Sequence, residues 1–341
     1  MNINSIIRSH IQRLKPYSSA RDEFHGVGEV FLDANESPYE ADYNRYPDPH
    51  HRKLKALLSN KKNISAEQIF IGNGSDEAID LLIRLTCEPG VDEVIVPCPT
   101  YGMYEVSANI HNVKVASVPL TPTFDLDLDQ TVKTINPKTK IVFLCSPNNP
   151  TGNILSLNKI ESLLLKFRGL IVVDEAYIDF TPDSSLIKHL TKHKNLVILQ
   201  TFSKAYGMAG LRIGMAYTQP EIIEGLNKIK PPYNLSTFSQ ERAIMALKSS
   251  VKDENVETTI MERDKLKTKL LNISSVEAVF PSDANFLLVK VKNADEVYKN
   301  LITNKIVVRN RSKLPGCAGC LRITVGTSEE NNTLIKVLSE L

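Results

Sequence analysis

The sequence predicts an α/β protein: a mostly parallel central sheet flanked by helices, followed by a smaller α+β domain. Seven short apolar, β-branched runs lie before Gly225, amphipathic stretches separate several of them, and the pattern changes after that glycine. The runs are Gln68–Ile71, Glu93–Val96, Lys114–Val118, Ile141–Cys145, Leu170–Asp174, Leu196–Thr201 and Ile213–Tyr217. Strands this uniformly apolar need cover on both faces, and stretches such as Asp76–Leu85 and Leu157–Phe167 supply helices for it. Beyond Gly225, Ser236–Asn272 reads as helical. Strand-like runs follow at Val276–Phe280, Asn285–Val291, Ile306–Arg309 and Cys320–Val325, and a helix starts at Glu329. The expected division is an N-terminal arm over 1–30, a large domain over 31–225 with the next long helix as connector, and a small domain over 226–341. The arm lacks strand pattern and is expected to pack on the small domain or on a partner.

Composition narrows the function. The 341 residues are 42% hydrophobic and 23% charged, with 41 basic against 39 acidic side chains and a net charge of +2. That balance gives no electrostatic reason for nucleic acid or an anionic membrane as partner. No stretch approaches about 18 uncharged apolar residues, and MNINSIIRSHIQRLKPY lacks the apolar centre of a signal peptide. A cytoplasmic protein is expected. The five cysteines are scattered, and the CxxC of Cys317 and Cys320 has no second pair beside it, so free thiols and no metal are expected.

Polar residues cluster where strands end. Ile141–Cys145 runs into SPNNPTG, Leu170–Val173 into DEAY, and Leu196–Thr201 into FSKAYGMAGLR. In an open α/β sheet, ligands sit beyond the carboxyl ends of the strands, so Asn149, Asp174 and Lys204 converge on one candidate site. A lysine at the end of a buried strand loses solvation and yields the neutral amine that Schiff-base formation with an aldehyde requires. Taken alone, Lys204 reads far more often as an ordinary surface lysine at a helix start. Asp174 emerges from an apolar strand and needs a cationic or hydrogen-bonding partner, a protonated pyridine nitrogen among the options; a capping or metal-binding aspartate is the alternative. Tyr177 and Asn149 suit a ring hydroxyl. GNGSDEAI opens a helix whose N–H groups can hold an anion, with Ser75 and Asp76 as its caps. Ser203 and Arg212 can close around a phosphate, and Tyr101 offers a ring for stacking. Arg322 lies in an apolar run and either faces an anion or points to solvent; Arg309 shares that ambiguity.

These motifs, in this order, resemble the core of the fold-type I pyridoxal-phosphate enzymes, and TFSKAYGMAGLRIG resembles the class-II aminotransferase signature. LDANESP, NRYPDP, LLIRLTCEPG, PTYGMYEVSA and CLRITVGT extend the likeness to the histidinol-phosphate subgroup. The resemblance implies pyridoxal 5'-phosphate joined to Lys204, its phosphate held by the Ser75–Asp76 backbone, Ser203 and Arg212. Tyr101 stacks on its ring, Asn149 and Tyr177 bond its hydroxyl, and Asp174 holds its nitrogen. It further implies a homodimer in which Tyr46 reaches the phosphate of the neighbouring subunit. Tyr17, Asn35, Arg309 and Arg322 take positions that handle substrate, here glutamate or 2-oxoglutarate and histidinol phosphate. An aromatic-amino-acid aminotransferase or a threonine-phosphate decarboxylase of the same fold is the alternative. The segment 311–319 departs from the family pattern, which bears on closure over the site.

Overall fold

The computed structural model describes residues 3–16, 30–39 and 41–340. The larger sheet consists of β1 (Ile69–Asn73), β2 (Glu93–Cys98), β3 (Lys114–Pro119), β4 (Thr139–Cys145), β5 (Leu170–Asp174), β6 (Leu196–Thr201) and β7 (Ile213–Tyr217), in the order β1-β7-β6-β5-β4-β2-β3. Strands β2 to β6 pair in parallel, while β7 runs antiparallel to both of its neighbours. The central strands are apolar on both faces. Leu170 and Val172 of β5 enter one core with Phe143 and Leu199; Ile171 and Val173 enter the opposite core with Val142 and Ile198. Each such fully buried side chain contributes roughly 1.5–3 kcal/mol relative to exposure.

Helices α1 (Ser9–Gln12), α2 (Arg52–Lys62), α3 (Ser75–Thr86), α4 (Met103–Ile110), α5 (Leu128–Thr134), α6 (Leu157–Lys166), α7 (Pro220–Ile229) and α8 (Thr237–Leu247) surround this sheet. Ile3, Ile6, Ile7 and Ile11 are buried in the same core as α3 and α7, and Arg8 pairs with Glu88 at 2.9 Å. The described part of the N-terminal segment thus packs on the large sheet's side, not on the smaller domain, because its isoleucines complete an apolar face. The boundary expected at 225 falls inside α7. Leu226, Leu235 and Ala243 lie beyond it yet are buried with the large sheet, so that core extends through α8.

The second sheet comprises β8 (Val276–Val279), β9 (Phe286–Val291), β10 (Arg309–Asn310) and β11 (Cys320–Thr324), antiparallel in the order β10-β11-β9-β8. Helices α9 (Val251–Leu270), α10 (Ala294–Thr303) and α11 (Ser328–Ser339) cover it, the last opened by a capping box of Thr327 and Glu330. Leu287, Val289, Leu321 and Ile323 face these helices. By alternation, Arg322 then faces the other way, toward the larger sheet. The strand expected at Ile306–Arg309 forms only at Arg309–Asn310, since Lys305 adopts a left-handed backbone (φ 62°) and Ile306 packs from a loop. Among the described residues, no helix is long and apolar enough to cross a membrane.

Candidate active site

A cleft of about 570 Å³ opens at the carboxyl ends of β4, β5 and β6, lined among others by Asn149, Asp174, Tyr177, Ser203, Lys204 and Arg322. Asp174 comes from β5 on the face that carries Leu170 and Val172, directly beside Cys145 of β4. It is 2% exposed. The Tyr104 hydroxyl donates to its Oδ2 over 2.7 Å and the Ala176 N–H to its Oδ1 over 3.0 Å. Burial pushes the carboxyl up to about 6, while the Tyr104 and Ala176 bonds oppose that rise. Tyr104 is fully buried and stacked on Phe143 with centroids 4.9 Å apart.

Lys204 follows β6 in a turn and is exposed, not buried as its place after an apolar strand led one to expect. The solvent it meets is that of the cleft, whose walls include Asp174 and Asn149. Its Nζ lies 5.5 Å from the centroid of the Tyr177 ring. The enclosing walls, and next the Arg322 charge, hold its amine below the ordinary lysine range. Tyr177 is buried, which drives its phenol well above the usual value, and its oxygen accepts from Asn149 Nδ2 over 3.3 Å.

At the other end of the cleft, Gly74 (φ 75°) is the N-cap of α3 and no side chain caps the helix. The caps expected of Ser75 and Asp76 are therefore not formed; both residues sit within the first turn, whose N–H groups point out of the helix end as an anion site would require. Asp76 instead accepts from Tyr101 Oη (3.0 Å) and Arg212 Nη2 (3.3 Å). The Gly74 N–H donates to the Arg212 carbonyl over 2.8 Å. Gly214 must be glycine, since a Cβ there would sit 2.1 Å from the Ser75 nitrogen. Ser203 N–H donates to Thr201 Oγ1 over 3.1 Å, which fixes the start of the lysine turn.

The second sheet closes the cleft with arginines. Arg322 Nη1 donates to Asn149 Oδ1 over 2.5 Å, and its guanidinium carbon lies 5.4 Å from the Phe286 centroid. Arg309 pairs with Arg322 across β10 and β11. Arg311, which the sequence did not single out, lines the cleft beside them, and its buried Nε has no hydrogen-bond partner. Burial, then the charges of Arg322 and Arg309, holds the Arg311 guanidinium below its ordinary value. The signal for Arg311 was the alternation Arg309, Arg311 in an extended segment, which puts both on one face. Tyr104 was the other omission; the available sign was a second tyrosine close after Tyr101, placed in the first turn of α4 with its ring edge-on to Tyr101 at 5.5 Å.

Two expected residues lie elsewhere. Asn35 (φ 55°) and Tyr46 line a separate groove of about 360 Å³ with Tyr43, Arg45 and Phe238. The Tyr46 ring stacks on Tyr233 at 4.4 Å, and its N–H donates to Glu36 over 2.7 Å. Within one chain neither residue reaches the cleft. Tyr17 lies outside the described residues.

Fold and cleft together define an enzyme of the aminotransferase type, with a lysine and a buried carboxylate facing one crevice. The chain belongs to the aminotransferase class I and II family, whose model matches residues 27–338. It is 52% identical to the histidinol-phosphate aminotransferase of Cytophaga hutchinsonii over 99% of this chain and 98% of that protein. To the histidinol-phosphate aminotransferase of Parabacteroides distasonis it is 49% identical, over 100% of this chain and 99% of the other. Among solved structures it is similar to the histidinol-phosphate aminotransferase of Clostridium acetobutylicum, with a TM-score of 0.81 at 26% identity, covering 88% of this chain and 91% of that one. The enzyme of the same name from Sinorhizobium meliloti, solved in complex with pyridoxal-5'-phosphate, gives a TM-score of 0.80 at 26% identity over 87% and 82% of the two chains.

Proposed function

We propose that this chain is a cytoplasmic, homodimeric histidinol-phosphate aminotransferase of histidine biosynthesis that uses pyridoxal 5'-phosphate. The observation that carries the substrate is the arginine wall: Arg309, Arg311 and Arg322 line one side of the cleft, and Arg311 Nε is buried without a partner. Three neighbouring guanidinium groups repel one another unless an anion sits among them, and a phosphate ester has oxygens for several.

The residues fit the cofactor. Asp174 is buried with hydrogen-bond donors and a carboxyl raised to about 6, so a protonated ring nitrogen would supply its missing counter-charge. The uncapped first turn of α3, with Ser203 and Arg212, forms a cradle for the phosphate. Bound through its aldehyde carbon to Lys204, the cofactor supplies the electron sink that lets a Cα–H bond ionise. Tyr101 would stack on the ring, and Asn149 with Tyr177 would hold the ring oxygen. Once the substrate amine has displaced it from that link, the freed Lys204 amine, kept below its usual range by the cleft, would take the Cα proton and return it as general acid. Arg322 forks onto the substrate anion in both half-reactions, a carboxylate in one and a phosphate in the other. Arg309 and Arg311 reinforce it, and Tyr17 contributes to the substrate site; Asn35 and Tyr46, which lie outside this chain's own cleft, would reach substrate and phosphate only across a dimer. The large domain carries the cofactor, and the small domain brings the arginines.

The test is kcat/KM for histidinol phosphate against unphosphorylated histidinol and phenylalanine, with 2-oxoglutarate as acceptor. Loss of two or three charged hydrogen bonds predicts a preference for the phosphate ester of about 10²-fold or more. Equal rates with phenylalanine would reject the substrate and leave the aminotransferase class standing.

A further inference from the structure

Away from the cleft, Glu161 of α6 meets His189 and His193, with one potential ligand atom from each lying within 4.8 Å of the others. His189 ends the 3-10 segment Leu186–His189, and the His193 N–H donates to the His189 carbonyl over 3.1 Å. That single turn sets two imidazoles on one face in the H-x3-H spacing common among zinc ligands. The His189 side chain is only 8% exposed, and its Nδ1 is buried without a hydrogen-bond partner although Glu161 Oε1 lies 3.1 Å away. A close approach of a ring nitrogen and a carboxylate oxygen without hydrogen-bond geometry is what two ligands on one ion present. With metal–ligand bonds near 2.0–2.2 Å, adjacent ligands of a tetrahedral zinc lie about 3.3 Å apart. The third ligand must close from the observed spread, and Glu161 and His193 are only partly buried at the cluster's outer side.

We propose that Glu161, His189 and His193 form a zinc site of three protein ligands, with water as the fourth. Two imidazoles and one carboxylate favour a first-row transition cation over calcium or magnesium, which take oxygen ligands in greater number. The site ties α6 to the segment that supports the active strand. Ser185 Oγ and the Leu186 N–H both donate to Glu175, the residue after Asp174, over 2.7 and 2.6 Å. A bound ion at His189 would stiffen that support without touching substrate.

Titration of tag-free, cofactor-loaded, chelator-stripped protein with ZnCl2 by calorimetry tests this. One zinc per chain with a rise in Tm is expected. Glu161→Ala and His193→Ala, both at partly exposed positions, should each weaken binding at least about tenfold, the least that even outer-shell losses cost. Cobalt substitution should give tetrahedral d–d bands without thiolate charge-transfer absorption. Zinc binding that persists in both variants, that disappears on alkylation of the cysteines, or that is absent from the wild type overturns the proposal.

Discussion

The Tyr104 hydroxyl and the Asp174 carboxylate meet over 2.7 Å at the floor of the cleft, one from α4 and the other from the end of β5. The bond favours the charged carboxylate, against the burial that disfavours it. Tyr104→Phe keeps the ring stacked on Phe143 and removes only the donor. A lost hydrogen bond to a charged group costs about 1.5–3 kcal/mol, so kcat/KM should fall about 10- to 100-fold. The acidic limb of the pH–rate profile should move to higher pH, because Asp174 loses a group that lowers its pKa. An unmoved limb would deny Tyr104 this positioning role.

Asp174 also sets a pH dependence of stability in the cofactor-free protein. Its carboxyl rises from 3.8 to about 6 on folding, so the folded state holds the proton more tightly than the unfolded one. The stabilisation is complete below about pH 4 and is lost as pH rises through about 6, roughly 3 kcal/mol in all. Asp174→Asn removes this loss. Urea unfolding of the two apoproteins should show the variant gaining on the wild type between pH 4 and pH 7, whereas its cofactor affinity drops.

Lys204→Ala should abolish turnover while cofactor binding persists, since the proposed phosphate cradle of Ser75, Asp76, Ser203 and Arg212 is left intact. Absorbance of the dialysed variant reads this directly. Release of the cofactor on dialysis would mean that the covalent link, not the cradle, retains it.

Arg322→Ala should slow both half-reactions by about 10²-fold or more, because it would remove the proposed forked contact to the substrate anion together with the donor to Asn149. Stopped-flow rates with glutamate and with histidinol phosphate separate the two; an unimpaired glutamate half would contradict a shared anion site. Arg311→Ala should fall mainly on the phosphate ester, whose second negative charge has most need of a third cation.

Gly214→Ala tests the joint between β7 and the start of α3. A Cβ at that position meets the Ser75 nitrogen at 2.1 Å and the Gly74 carbonyl carbon at 2.2 Å, both backbone atoms that cannot rotate away. Cofactor dissociation should accelerate at least tenfold, about 1.4 kcal/mol, with any loss of Tm reported by the apoprotein.

The larger sheet was legible because β4, β5 and β6 are continuous apolar runs that end abruptly in SPNNPTG, DEAY and FSKAYG. Residue spacing could not show that β7 runs backwards, since an apolar strand reads alike in either direction. Arg322 was ambiguous from alternation alone until Leu321 and Ile323 turned out to face the helices. Tyr104 was missed because an aromatic on a helix usually signals core packing, and here it does that as well as bonding Asp174. The isoleucines of residues 3–11 gave no strand period, so their docking on the large sheet depended on a tertiary surface that sequence does not display. Arg311 lies just beyond the two-residue strand β10, so its alternation with Arg309 was a sign too brief to stand out.

The reversal of β7 has a mechanical result. Because that strand starts at the rim where β6 finishes, Lys204 and Arg212 belong to one continuous turn, Phe202 through Arg212, pinned at its base by the Phe202 N–H to the Ile213 carbonyl at 3.0 Å. Both ends of a bound cofactor would then be held by one turn of the larger sheet, while Arg309 and Arg322 come from the separate second sheet.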